Sequence, residues 1–104
     1  MEIRYYLNPV TDQPHIYDHG VSEEEVEWIL ARPGEDERSS GDARQAIGTT
    51  SGGRYLRIIY VPDPVGDDVF VITAYPLSGK PLKAYRDERR GEDDERPEIS
   101  ARLG

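Results

Sequence analysis

The chain has 104 residues, 36% hydrophobic and 33% charged, with a formal net charge of −8 at pH 7. That length holds one core and not two, and the negative balance argues against a general nucleic-acid binder, which carries a basic footprint. With no cysteine, disulfide staples and thiolate chemistry are excluded.

Ile3, Tyr5 and Leu7 alternate with Arg4 and Tyr6, a period of two that predicts a short opening strand ended by Asn8-Pro9. Thr11 to His19 reads as a short helix, with Pro14 in its first turn and Gly20 as its stop. The following helix has the strongest signals. Ser22 is its N-cap and Glu25 completes a capping box, while Val21 and Val26 supply a hydrophobic staple. Glu23, Glu24 and Glu25 oppose the positive end of the helix dipole. Val26, Ile29 and Leu30 form an apolar stripe, Trp28 on its flank is read as core, and Pro33-Gly34 ends the helix.

Glu35 to Asp42 is polar and reads as a loop or the ragged start of a strand. Ala43–Thr50 is a weak strand, and Ser51-Gly52-Gly53 turns it into a second, Arg54–Val61. Leu56, Ile58 and Tyr60 face one side of that strand; Tyr55, Arg57, Ile59 and Val61 face the other. Apolar residues on both sides predict a central strand covered on both faces. After the PDPVGD loop, Val69–Tyr75 forms a third strand closed by Pro76. A register with Ile59 opposite Val71, Arg57 opposite Thr73 and Tyr55 opposite Tyr75 gathers the polar side chains on one face.

Ser78 caps a last helix that tolerates Pro81 in its first turn and has Gly91 beyond its end. Leu82 and Tyr85 point inward, and Lys83, Arg86 and Arg90 share the outward face. Residues 80–90 carry a local charge of +3 and residues 91–104 one of −3. Residues 1–90 read as a single α+β domain and 91–104 as a charged, mobile tail. No apolar run approaches the roughly 20 residues of a spanning helix, and MEIRYYLNP lacks the regions of a signal peptide. A cytoplasmic protein without membrane contact is expected.

Two stretches carry a family resemblance. HGVSEEEVEWILARP resembles the helix opening of the BrnT toxins and of a related domain family of unknown function grouped with the RelE/ParE toxins. GGRYLRIIYV and VFVITAYPLSGKPLKAYR resemble the strands and C-terminal basic segment of that second family. Together they span roughly residues 15–90. The resemblance implies an α+β fold of two N-terminal helices packed on a three- to four-stranded antiparallel sheet, with a short C-terminal basic helix. For the toxin relatives it implies metal-independent RNA cleavage, neutralised by a cognate antitoxin protein. The acidic composition and the interrupted basic helix favour an alternative, a non-enzymatic protein-binding domain of the same fold.

Metal-free RNA cleavage needs a base for the 2′-hydroxyl, an acid for the leaving oxygen, and cations around the phosphorane. The catalytic candidates are Arg57, His19, His15, Tyr75 and Lys83; the RNA-binding candidates are Arg54, Lys83, Arg86 and Arg90. A charge on a central strand must be paired or border a cleft, so Arg57 also has a structural reading as a salt bridge to the Glu23–Glu27 region. Tyr75 has one as a half-buried strand aromatic, and His19 as a cap on helix-end carbonyls. His15 and His19 stand four apart, and a metal would need Asp12 or Asp18 as well; no full ligand set is present. SGG lacks the strand–loop–helix setting of a phosphate cradle, so no cofactor is expected. The first strand, left exposed, offers an edge to a second copy in a homodimer or to an antitoxin.

Overall fold

The computed structural model describes residues 1–89. In chain order come β1 (Ile3–Tyr5), a 3₁₀ helix (His15–His19), α1 (Glu23–Ala31), β2 (Glu35–Arg38), β3 (Arg44–Thr49), β4 (Tyr55–Pro62) and β5 (Val69–Pro76). A second α-helix, α2, occupies 79–89. The five strands form one sheet in the order β1-β5-β4-β3-β2. β2 to β5 run as an antiparallel meander, and β1 joins it parallel to β5.

This overturns the expected arrangement of two N-terminal helices on three or four antiparallel strands. The sheet has five strands, it is mixed, and a strand precedes both helical segments. The physical reasons are local. β2 is EDER, an outer strand with charged side chains on both faces, so it shows no apolar alternation. β1 has no hairpin to its partner: β5 is the last strand among the described residues, reached only after the helical segments and the rest of the meander, and a connection of that length permits parallel pairing.

Alternation along the strands decides the layers. Ala46, Leu56, Ile58, Tyr60, Val69, Val71 and Ala74 point to one face, where they bury Ile16 of the 3₁₀ helix together with Val21, Val26 and Ile29. Each fully buried aliphatic side chain contributes about 1.5–3 kcal/mol. On the opposite face Ile47, Leu77 and Tyr85 form a second cluster, flanked by Tyr55 and Leu82. α2 therefore covers only part of that face, through the inward residues Leu82 and Tyr85.

α1 begins as its sequence dictates. The Ser22 side chain accepts from the Glu25 N–H at 3.2 Å, and Glu25 accepts from the Ser22 N–H at 3.0 Å. Val26 and Ile29 are fully buried. Trp28 is not core: it is 40% exposed and carries the Arg32 guanidinium over its ring at 3.8 Å. The stripe ends at Leu30, and Trp28 falls outside its arc. Pro14 caps the 3₁₀ helix, and Gly20 closes it at φ 70°, a left-handed conformation that glycine adopts without steric cost.

The central pairing also differs from expectation. Arg57 lies opposite Tyr75 and Ile59 opposite Thr73, two residues from the expected register. A β-bulge between Ile59 and Tyr60 leaves Ile72 unpaired. The reason is visible in the burial: Val71 and Ala74 both face the core although they differ in parity, and an inserted residue is what permits this. The shift of two preserves the face, so Arg57, Thr73 and Tyr75 still share one side.

Candidate active site on the α2 face

The pairings align one row of residues across four strands. Glu35 of β2 lies opposite Ile47 of β3, Ile47 opposite Arg57 of β4, and Arg57 opposite Tyr75 of β5. Beyond Tyr75 the row continues into the 3₁₀ helix, which packs on β5. The His19 ring meets the Tyr75 ring edge-on at 6.0 Å, His15 meets His19 at 5.1 Å, and Tyr6 meets His15 at 6.0 Å. Four of the five catalytic candidates thus form one chain of contacts.

Arg57 is half-buried and has no carboxylate within ion-pair distance among the described residues. One guanidinium nitrogen donates to the Tyr75 hydroxyl at 3.4 Å, and the group lies 5.9 Å from that ring. Its Nε is buried without a protein partner, as is the Thr73 hydroxyl oxygen two residue pairs further along the sheet. Such orphaned groups cost about 1–3 kcal/mol each in a folded protein. The salt bridge to the Glu23–Glu27 region does not form, because α1 covers the other face. Glu25 instead pairs with Arg54 at 2.9 Å.

Glu35, at the far end of the row, lies in the polar stretch that reads from the sequence as a loop or the ragged start of a strand, and the second of these is what the structure shows. Burial holds its carboxyl above the ordinary glutamate range, with Glu88 and Glu37 adding to the effect and Arg89 and Arg57 opposing it. No apolar pattern marks it, and only the strand pairing brings it into line with Arg57.

The histidines are oriented differently from each other. His15 Nδ1 lies 3.2 Å from Asp18, whose carboxylate also accepts from the Asn8 side-chain amide at 2.7 Å. A proton on Nδ1 facing Asp18 leaves Nε2 as the acceptor. Asp18 therefore positions His15. Among the described residues no group of three or more His, Cys, Asp or Glu side chains is placed to hold a metal ion. His19 is exposed, and the carbonyls of Ile16 and Tyr17 at the helix end are met by the Gly20 N–H, not by the His19 ring.

The basic candidates fall elsewhere. Arg54 binds Glu25 and the Gly20 carbonyl, at 2.9 and 3.0 Å, so it ties the β3–β4 turn to the start of α1. Lys83 is 82% exposed and 3.9 Å from Asp87. Lys83 and Arg86 line a shallow depression of about 370 Å³ with Gly79, Leu82 and Asp87. The Arg86 guanidinium lies 6.0 Å from the Tyr55 ring, and Tyr55 is two residues from Arg57 on the same face of β4. Tyr55 meets Tyr85 at 5.9 Å, which fixes α2 over this end of the sheet. Arg90 and the 91–104 segment lie outside the described residues.

Compared with known proteins, the chain matches no family model, no curated protein and no solved structure. No helix among the described residues is long and apolar enough to cross a membrane.

Proposed function

We propose that this domain is a metal-independent endoribonuclease of the toxin type, acting through the Arg57–Tyr75–His19–His15 array. The observation that carries the reading is Arg57. It is a half-buried guanidinium without a carboxylate partner, joined through Tyr75 to a pair of histidines, one of them held by Asp18.

In this reading a histidine removes the 2′-hydroxyl proton and the oxygen attacks the adjacent phosphorus. Arg57 neutralises the charge gathering on the phosphorane, and the second histidine protonates the departing 5′-oxygen. The products are a 2′,3′-cyclic phosphate and a 5′-hydroxyl, so no water or metal enters the balance. Tyr75 holds the guanidinium in place, and the Lys83–Arg86 depression receives neighbouring phosphates. A toxin role implies a cognate antitoxin that covers these residues.

The test is incubation of purified protein with single-stranded RNA and with translating ribosomes in EDTA. The expected result is cleavage with cyclic-phosphate ends and growth arrest on expression. Arg57→Ala should lower the rate by about 10²–10³, the scale of removing one oxyanion donor. Intact RNA and undisturbed growth would sink the proposal.

A second reading, a binding module without catalysis, draws on the net charge of −8 and on Asp87 set against Lys83. Under that reading Arg57→Ala leaves RNA untouched but weakens capture of a protein partner.

A further inference from the structure

The two edges of the sheet are unlike. β2 presents EDER, whose charges discourage the addition of another strand. β1 presents Ile3-Arg4-Tyr5. The Val69 N–H donates to the Glu2 carbonyl at 3.0 Å, and the Tyr6 N–H donates to the Val71 carbonyl at 2.9 Å. The even-numbered positions therefore bond inward to β5. Alternation turns the N–H and C=O groups of Ile3 and Tyr5 outward, and β1 is the last strand on that side.

Beside this edge lies a depression of about 290 Å³ lined by Met1, Glu2, Ile3, Tyr5, Glu23 and Glu27, with the Met1 ammonium drawn off to Asp67 at 3.5 Å. Glu23 accepts from the Tyr17 hydroxyl. Glu27 makes no hydrogen bond or ion pair among the described residues. The Tyr5 hydroxyl oxygen is buried without a partner. Burial, then Glu23 and Glu27, raise its pKa, so it stays protonated.

We propose that β1 is the docking edge for an extended basic segment of a partner protein. The segment adds as a sixth strand against Ile3 and Tyr5 and sets a Lys or Arg into the Glu23–Glu27 depression. Main-chain bonds supply the affinity of such strand addition, and the pocket beside it selects the side chain. The carboxylates choose the occupant: they complement a cation and repel an acidic strand. This surface borders α1, on the other side of the sheet from Arg57, and does not depend on whether the chain cleaves RNA.

The experiment uses the full-length ¹⁵N-labelled chain at low salt. It is titrated with a synthetic octapeptide alternating Lys and Val, and separately with one alternating Glu and Val. The Lys peptide is expected to give saturable amide shifts centred on Ile3 and Tyr5, and the Glu peptide none. Glu27→Gln should weaken the Lys peptide about tenfold, the scale of one close charge pair. Glu24→Gln, which does not line the depression, should leave the affinity unchanged. The amide spectrum of each variant reports whether it is folded. Shifts centred elsewhere, equal response to both peptides, equal weakening by both variants, or no saturable response would each overturn the proposal. Pairing of β1 with a second copy in place of the peptide would do so too.

Discussion

Arg57 combines a stability cost with a chemical opportunity. A half-buried guanidinium with an orphaned Nε and no ion pair carries a desolvation cost that the Tyr75 hydroxyl and the field of Glu35 only partly offset, and replacing it by an apolar side chain of similar length removes that cost. Arg57→Met should therefore keep or raise the melting temperature while abolishing RNA cleavage. Thermal unfolding and the cleavage assay on the same sample check this, and a large loss of stability would mark Arg57 as structural. Glu35 gives the pH counterpart. Its folded-state pKa is raised, chiefly by burial, so its contribution is present below the ordinary glutamate range and lost as pH rises through the folded value. Glu35→Gln should raise the melting temperature at about pH 7 and change it little near pH 3.5. At this scale the sequence was informative where alternation or local chemistry spoke. Parity puts Thr73 and Tyr75 on one face of their strand, and the choice of a register that gathers polar residues put Arg57 with them; that shared face survived a register error of two. The exposure of Trp28 and the position of Glu35 were not readable, because both depend on what lies across from them.

Among the elements, α1 is anchored at both ends by contacts the sequence half discloses. The capping box is written in Ser22 and Glu25. The second use of Glu25, as the partner of Arg54, needs the β3–β4 turn to arrive beside it. At the other end, a Cβ built on Gly48 would lie 2.9 Å from Ile29 Cγ2, so glycine there lets the helix sit directly on β3. Gly48→Ala should cost about 1–3 kcal/mol through overpacking. In the Ile29→Ala background, which by itself costs about 2–5 kcal/mol, the added methyl should cost much less. Urea unfolding of the four proteins measures the coupling, and strict additivity would show that the contact is not close. The sequence left β2 open between loop and strand and gave no sign of the bulge at Ile72, for opposite reasons. The first lacks any apolar pattern, and the second interrupts a good one.

Across the whole molecule, a polar tie reaches the outer strand from as far as β4, in addition to the β2–β3 ladder and the Gln45–Glu37 hydrogen bond. The Tyr60 hydroxyl donates to Asp36 at 2.7 Å, and Arg44 donates to the same carboxylate at 3.0 Å. Burial, then the hydrogen bond to Asp36, raise the Tyr60 pKa, and burial does the same at Tyr5. A raised tyrosine pKa contributes stability that is present below the ordinary tyrosine range and lost as pH climbs through the folded value. The fold should therefore weaken on the alkaline side of about pH 10. Tyr60→Phe should flatten that limb while costing about 1–2 kcal/mol at neutral pH through the lost hydrogen bond. Circular dichroism melts across pH check both limbs. The architecture as a whole was the least legible part. Each strand of the meander announces its neighbour through a turn, whereas nothing in three residues at the N-terminus announces a partner near residue 70.

That pairing bears on synthesis. Ile3 must wait for Val69, 66 positions later, before it finds its place. At roughly 5–20 residues per second the wait is on the order of three to thirteen seconds. Tyr75 comes later still, so the row through Arg57 is completed only when nearly all the described chain has been made. Until then the nascent chain offers an unfinished β4 edge and no assembled array. A ribosome-bound chain stalled before β5 should be sensitive to protease and inert toward RNA.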